Sequence, residues 1–338
     1  MIEKNIDVVA LGELLIDFTC NGVSLQGNPM YEANPGGAPC NVLAMLAKLG
    51  KRTAFIGKVG EDQFGHFLRQ VGLDAGISMD NLVMDAHSHT TLAVVKTAEN
   101  GDRDFSFYRD PGADVLLTPD EVSGNVIAAS RIFHFGSLSL TGQPVRSATQ
   151  KAVALAHEAG CIISFDPNLR PTLWDSLEHA RDQISWGLAQ CDVVKISDDE
   201  LLFFTGKSDF DDGAAKLIEQ FPNLRMVNVT AGSKGSISYY QGLRVFQPGL
   251  SLGGVVETTG AGDTFCACVL NFLLDHGLNH LTSADITQML QFANAAAYFV
   301  TTRRGAIRSM PEPEQVQALL EAVAQNNTEQ TNWNFINF

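Results

Sequence analysis

Short apolar runs closed by Gly, Asp or Pro recur along the chain. Residues 8–11, 53–56, 131–135, 161–165, 193–196 and 226–229 are such runs, and their near-continuous apolar character predicts parallel strands buried on both faces. Between them, residues 41–49, 63–73, 143–158, 178–189, 198–204 and 212–220 return apolar positions at helical spacing and predict helices. This alternation predicts an α/β fold: a doubly wound, mostly parallel central sheet flanked by helices, with right-handed crossovers. Ligands of such sheets sit beyond the carboxyl ends of the strands, so the strand-to-helix turns are where chemistry is to be sought.

One region breaks the rhythm. Residues 90–97 and 103–109 alternate apolar and polar, joined by a turn over 98–102 that contains Asn100-Gly101, a strong hairpin signal. A hairpin inserted in a βα array predicts a small β-sheet lid, with strands from about 14–35 and 90–112; an ordinary edge hairpin is the plainer alternative. A single domain is expected over 1–325, followed by a polar stretch, 326–338, that ends in Trp333, Phe335, Ile336 and Phe338. That stretch reads either as a frayed tail or as an arm packed on the body or on a second subunit.

Composition narrows the partners. The 338 residues carry a net charge of −15, which argues against nucleic acid or an anionic membrane surface. A polyanionic ligand must then be held by local devices such as helix N-termini, Mg²⁺ and a few placed cations. The six cysteines show neither a C-x-x-C pair nor zinc spacing, no apolar stretch approaches membrane-spanning length, and Glu3, Asp7, Glu13 and Asp17 interrupt the first apolar run. A cytoplasmic location is expected.

The most informative run is Glu257-Thr258-Thr259-Gly260-Ala261-Gly262-Asp263, directly before an apolar helix expected over 264–274. The first turn of a helix carries backbone N–H groups without intrahelical acceptors, an electropositive anion site, and Gly260 and Gly262 let an anion approach bare backbone. A carboxylate there is odd for a simple anion cradle. It makes sense where a hydroxyl lies between carboxylate and phosphoryl group and loses its proton as it attacks. Read alone, Asp263 serves equally as a helix cap.

Other turns add candidates. Gly36-Gly37-Ala38-Pro39-Cys40-Asn41 permits close backbone approach, and Asn41 offers a donor and an acceptor to vicinal hydroxyls. Asp17 ends the first polar-interrupted run. Asn168 and Arg170 follow the 161–165 strand, and an Arg at a strand end meets phosphoryl or substrate oxygens bidentately. Lys195 and Glu200 flank the next turn, where Glu200 suits Mg²⁺ held through water. Thr230, Gly232 and Gly235 form a turn able to wrap a phosphate or nucleotide edge. Asn294-Ala295-Ala296-Ala297 presents small side chains on a helix, which fits either an adenine slot or close helix packing. The helix end near Val300 to Gly305 exposes carbonyls that suit a cation. The Gly206-Lys207-Ser208 run is a false Walker A match, and G-x-G-x-x-G is missing.

Together, in this order, the motifs from about Val8 to Pro311 resemble the ribokinase-like carbohydrate kinases, most of all the fructokinase branch. The most specific element is Thr258 to Asp263, supported by Gly36-Gly37 with Asn41, by Asp166-Pro167-Asn168-Leu169-Arg170, by Lys195 to Glu200, and by Phe107-Tyr108-Arg109. The resemblance implies Asp263 as the general base and Gly260, Ala261 and Gly262 as the anion hole. It implies Asp17, Gly37, Asn41, Phe107, Arg109 and Arg170 around the sugar. Asn168, Lys195, Glu200, Thr230, Gly232, Gly235 and Asn294 would then line the ATP site. A monovalent cation, K⁺, would take Glu257, Thr259, Val300, Arg303 and Gly305 as ligands; the family usually has Asp where this chain has Glu257.

The expected activity is ATP- and Mg²⁺-dependent phosphorylation of D-fructose on O6. The alternatives are a 2-keto-3-deoxygluconate kinase, whose substrate carboxylate would meet Arg109 and Arg170, a ribose or ribonucleoside kinase, a non-catalytic sugar sensor, and, on the fold alone, a dehydrogenase. An exposed lid edge offers a second subunit a strand to pair with, making a homodimer.

Overall fold

The computed structural model describes the backbone of residues 3–97 and 103–336, and the side chains of residues 3–95 and 106–325. Strands, labelled in chain order, are β1 Ile6–Leu11, β2 Leu15–Val23, β3 Pro29–Gly36, β4 Thr53–Gly60, β5 Ile77–Asp85, β6 Leu92–Thr97, β7 Arg103–Tyr108, β8 Ser130–Gly136, β9 Ile162–Asp166, β10 Val193–Ser197, β11 Met226–Thr230, β12 Gly235–Tyr240 and β13 Leu243–Pro248. Helices are α1 Ala38–Lys48, α2 Gln63–Asp74, α3 Gly124–Ala128, α4 Val145–Glu158, α5 Leu177–Gln190, α6 Asp198–Thr205, α7 Phe210–Gln220, α8 Ala261–His276, α9 Ser283–Thr301 and α10 Pro313–Ile336.

The large sheet runs β13-β12-β11-β10-β9-β8-β1-β4-β5. Its strands from β11 to β5 pair in parallel, while β12 and β13 add antiparallel at one edge. Alternate residues of β1 feed two cores. Val8 and Ala10 join the apolar side chains of α1, α8 and α9, and Val9 and Leu11 join those of α4 and α5. Each strand residue is therefore buried whichever way it points, which is why the runs read as continuous rather than alternating.

A second sheet, β3-β2-β6-β7, stands apart from the first. Its hairpin β6–β7 was expected from the alternation; the Asn100-Gly101 turn lies outside the described residues. Three strands escaped the sequence reading. β5 alternates buried and half-buried positions, and β12 and β13 form an edge hairpin whose outer strand is largely exposed, so neither gives a clean apolar run. The α8 helix starts at Ala261 rather than at 264, because Gly260 takes the N-cap with φ 79°. Residues 326–336, expected as a tail, continue the backbone of α10. Among the described residues no helix is long and apolar enough to cross a membrane.

Candidate functional site

Two cavities open at the carboxyl ends of the parallel strands. The first, about 580 Å³, is walled by Leu15, Asp17 and Phe107 of the smaller sheet, by Gly37 and Asn41 at the start of α1, and by Asn168, Arg170, Lys195 and Glu200 around the ends of β9 and β10. Gly260, Gly262 and Asp263 close it from the start of α8. The second, about 380 Å³, is lined by Thr230, Gly232 and Gly235 around the β11–β12 turn, by Asn294 and Ala297 of α9, and by Ala261. Thr258 and Gly262 line both, so the cavities meet at the N-terminus of α8. A larger hollow of about 680 Å³ involves α8, α9 and α10, but of the expected site residues it takes in Asn294 alone, so size does not mark the chemistry here.

The junction is built by local sequence. The first bond inside α8 runs from the Thr264 N–H to the Gly260 carbonyl at 2.8 Å, so the amides of Ala261, Gly262 and Asp263 precede the helical ladder. That of Ala261 reaches back to the Thr258 carbonyl at 3.3 Å. Asp263 does not cap the helix. Its Oδ2 instead accepts from Asn41 Nδ2 at 2.7 Å, across the cavity. Burial, with the nearby Asp166 charge, pushes the Asp263 carboxyl up to about 6, against the opposing pull of Asn41, Lys195 and Arg170. A carboxylate so placed is ionised at neutral pH yet basic enough to take a proton.

Both glycines before α1 answer to neighbouring acids. A Cβ on Gly36 would strike the Asp17 carboxylate, and one on Gly37, whose φ is 123°, would strike the Glu13 backbone carbonyl. Only bare backbone lets Asp17 and Asn41 line one cavity. Asn41 Oδ1 is buried without a hydrogen-bond partner, an acceptor left over in the cavity wall.

Behind α8 stands a fixed cation. Lys195 Nζ lies 3.2 Å from Asp166 Oδ2, with both side chains buried. Burial works against the ammonium charge, but Asp166, Glu200 and Asp263 outweigh it and hold the group above the ordinary lysine range. Glu200 Oε1 accepts from the Leu169 N–H at 2.7 Å and Oε2 from the Ser197 N–H at 2.8 Å, so it braces the turns after β9 and β10 while facing the cavity. Asn168 sits there with φ 44°, a strained value for a non-glycine residue, its N–H turned to Asp166 Oδ1 at 3.2 Å.

In the second cavity the small-residue stretch of α9 divides between cavity wall and helix packing. Asn294 and Ala297 face the cavity, while Ala295 and Ala296 are fully buried in the core. The Asn294 side chain is tied to the edge hairpin, donating to the Gln247 carbonyl at 3.1 Å and accepting from Ser236 Oγ at 2.9 Å. Glu257, Val300, Arg303 and Gly305 line neither cavity; Thr259 lines the first. Glu257 Oε2 does approach the Gly305 N–H at 3.4 Å, and the Val300 and Gly305 carbonyls accept from Arg303 N–H and Ser309 Oγ.

Residues 5–313, spanning both sheets and both cavities, match the pfkB family carbohydrate kinases. The chain belongs to this family. It is 42% identical to a probable fructokinase-4 of Arabidopsis thaliana over 321 residues, 94% of this chain and 98% of that one. A fructokinase with bound ATP from Xylella fastidiosa has a TM-score of 0.85 at 30% identity, covering 94% of this chain and 99% of that one. A fructokinase from Vibrio cholerae O395, in a fructose, ADP and calcium ion bound form, has a TM-score of 0.83 at 31% identity, over 94% and 100% of the two chains. The protein is an ATP-dependent, fructokinase-like carbohydrate kinase of the pfkB family.

For this pfkB kinase, two residues sit differently from the sequence reading. Arg109 does not line the cavity. Its guanidinium is buried, paired with Asp114 through Nη2 at 2.7 Å and donating to Thr141 Oγ1 and the Leu138 carbonyl, so it clamps the cavity wall from behind. Glu13 was passed over as a strand acid, yet it is 3% exposed and lines the first cavity. The available signal was a carboxylate inside the apolar run 8–16, a position that burial makes costly without a role.

Proposed function

We propose that the protein transfers the γ-phosphoryl group of ATP to the O6 hydroxyl of D-fructose, giving fructose 6-phosphate and ADP. The observation that carries this reading is the meeting of the two cavities at Gly262, with Asp263 in the sugar-side cavity and the turn Thr230 to Gly235 in the other. Asp17, Gly37 and Asn41 hold the sugar hydroxyls, with Phe107 over the ring, and Asp263 takes the O6 proton as that oxygen bonds to the γ-phosphorus. The bond to the β–γ bridging oxygen breaks, and ADP leaves. Amides at the start of α8, with Arg170 and Lys195, meet the charge spread over the transferring group, the main catalytic demand in a loose phosphoryl transition state.

Mg²⁺ fits beside Glu200, whose buried carboxylate keeps lone pairs beyond its two amide bonds and whose oxygen chemistry suits a hard cation; bound there, it neutralises phosphate charge. K⁺ fits the oxygen-rich segment of Glu257, Thr259 and the carbonyls of Val300, Arg303 and Gly305, where Glu257 already turns toward Gly305. The keto-acid alternative loses one of its two arginines, since Arg109 is committed to Asp114.

The test is sugar-dependent ADP release with Mg²⁺, with and without K⁺, across fructose, 2-keto-3-deoxygluconate, ribose, glucose and adenosine. A saturable preference for fructose is expected. Preference for the keto-acid refutes the fructose assignment and keeps the mechanism. Sugar binding without turnover makes the protein a sensor.

A further inference from the structure

The chain passes between the large sheet and the smaller one at four places: from β1 to β2 at residues 12–14, from β3 to α1 at Gly37, into β6 at Thr91, and out of β7 at Arg109. Charged and polar side chains tie these crossings together. Glu13, in the first crossing, accepts the Ala38 N–H on Oε1 at 2.9 Å, binding the first crossing to the second. Asp114 accepts from Thr91 and pairs with Arg109, binding the third to the fourth. Arg109 and Asp114 lie close enough for their charges to act on Glu13.

Glu13 is buried, and a buried carboxylate costs stability unless its oxygens are used. A residue that only ended β1 could be apolar, as its neighbours Leu11 and Leu14 are. Instead it sits at the N-terminus of α1, where an anion is favoured by the unpaired amides of the first turn. The amide it holds, that of Ala38, follows Gly37 and precedes Asn41 by one helical turn. Asn41 in turn donates to Asp263.

We propose that Glu13 is a positioning residue for the reaction: in its ionised form it latches the two crossings and fixes Gly37 and Asn41 in the geometry that binds sugar. This deepens the sugar-kinase reading and rests on it. Protonation weakens the latch, because a neutral acid accepts the Ala38 N–H less strongly than a carboxylate does.

Burial chiefly pushes the Glu13 carboxyl up to about 7, with Asp114 adding to the rise and the Glu13 and Ala38 amides and Arg109 opposing it. The groups that face it are Arg109 at the end of β7, Asp114 beyond it and the Cys40 thiol on α1; Asp17, Arg170, Lys195 and Asp263 stand around the shared cavity. Asp263 is raised as well, to about 6, so the Glu13→Gln variant, which leaves Asp263 in place, is what assigns an inflection to Glu13.

The experiment uses the full chain and its Glu13→Gln and Glu13→Ala variants, with the sugar that the unaltered protein turns over best. For the unaltered protein, the sugar KM should rise about fivefold between about pH 8 and about pH 6. Glu13→Gln, which keeps the acceptor and cannot ionise, should lose that rise. Glu13→Ala should raise the sugar KM by about tenfold or more while the ATP KM stays within about twofold, the split expected of lost sugar positioning. A Glu13→Gln variant that keeps the rise overturns the proposal, as does a Glu13→Ala variant whose sugar KM is unchanged or whose two KM values rise together. If Glu13→Ala does not fold, the Gln variant alone decides. Should the unaltered protein turn over none of the sugars, the kinase reading falls by itself. Hydrogen exchange at the Ala38 amide then tests the latch: faster exchange on protonation of Glu13 supports it, and equal exchange in the unaltered and Gln proteins across that range overturns it.

Discussion

Replacing Asp263 by Asn removes the proposed base and little else. The carboxamide oxygen of Asn can still accept from Asn41 Nδ2, which Oδ2 of Asp263 does at 2.7 Å, so the side chain stays placed across the cavity. What changes is proton affinity. Loss of a positioned general base costs about 10²–10⁴ in turnover, and a hydrogen bond that becomes neutral loses on the order of 1 kcal/mol, so the sugar KM should change by less than about tenfold. The same assay on the unaltered protein gives an internal check. With the carboxyl at about 6, roughly nine-tenths of Asp263 is ionised at pH 7 and about one-tenth at pH 5, so turnover should fall about tenfold over that span. Stability moves the other way. A folded-state carboxyl raised from 3.8 to about 6 contributes stability that is present below 3.8 and lost as pH rises through about 6. Asn has no such loss, so the Asp263→Asn protein should melt no lower than the unaltered protein at pH 7. The measurements are initial rates of ADP release from about pH 5 to 8 and thermal melting at pH 7. Turnover of the Asn variant within tenfold of normal, or an unaltered protein whose turnover is flat from pH 5 to 8, refutes the base role of Asp263.

Two further substitutions separate positioning from stability. Gly262→Ala places a Cβ 2.9 Å from Lys195 Nζ, which Asp166 pins, so the ammonium must shift; turnover should fall about 10- to 100-fold while Tm changes little, since Ala in a helix is favoured over Gly by about 1 kcal/mol. A kcat/KM for ATP within threefold of normal counts against that account. Arg109→Met strands the buried Asp114 and should cost about 3–5 kcal/mol in urea unfolding, largely regained in Arg109→Met/Asp114→Leu; a loss below about 1 kcal/mol with a raised sugar KM would return Arg109 to the sugar.

The parts of this molecule that sequence pattern reveals are those where one physical demand acts alone. Strands β1, β4 and β8 to β11 are buried on both faces, so their residues have no freedom to be polar and the runs stand out. The Gly260 to Asp263 turn is legible for a similar reason: small residues before a helix, then an acid that does not cap it, form a pattern the fold alone does not ask for. Strands β5 and β13 are half exposed, so solvent relaxes the pattern that would have marked them, and β12, though buried, is built from Gly, Ser and Tyr around a single Ile and so gives no apolar run. The start of α8 was misplaced because Gly260 caps with its backbone and not with a side chain, which leaves no capping residue to read.

Arg109 and Glu13 show a harder limit. Both are charged residues near the expected site, and type alone gives them opposite fates from the ones the fold assigns. What decides is the partner: Asp114 lies five residues from Arg109, while Ala38 lies twenty-five from Glu13, with two strands of the smaller sheet between. The Arg109 pair is local and could have been suspected from the spacing; the Glu13 bond exists only because β2 and β3 pair antiparallel and bring Gly36 back beside Leu15. A carboxylate whose bond to the Ala38 N–H joins the two ends of that excursion is placed to sense whether the smaller sheet is seated. That is why the pH dependence of sugar binding, rather than of turnover, is where its contribution should appear.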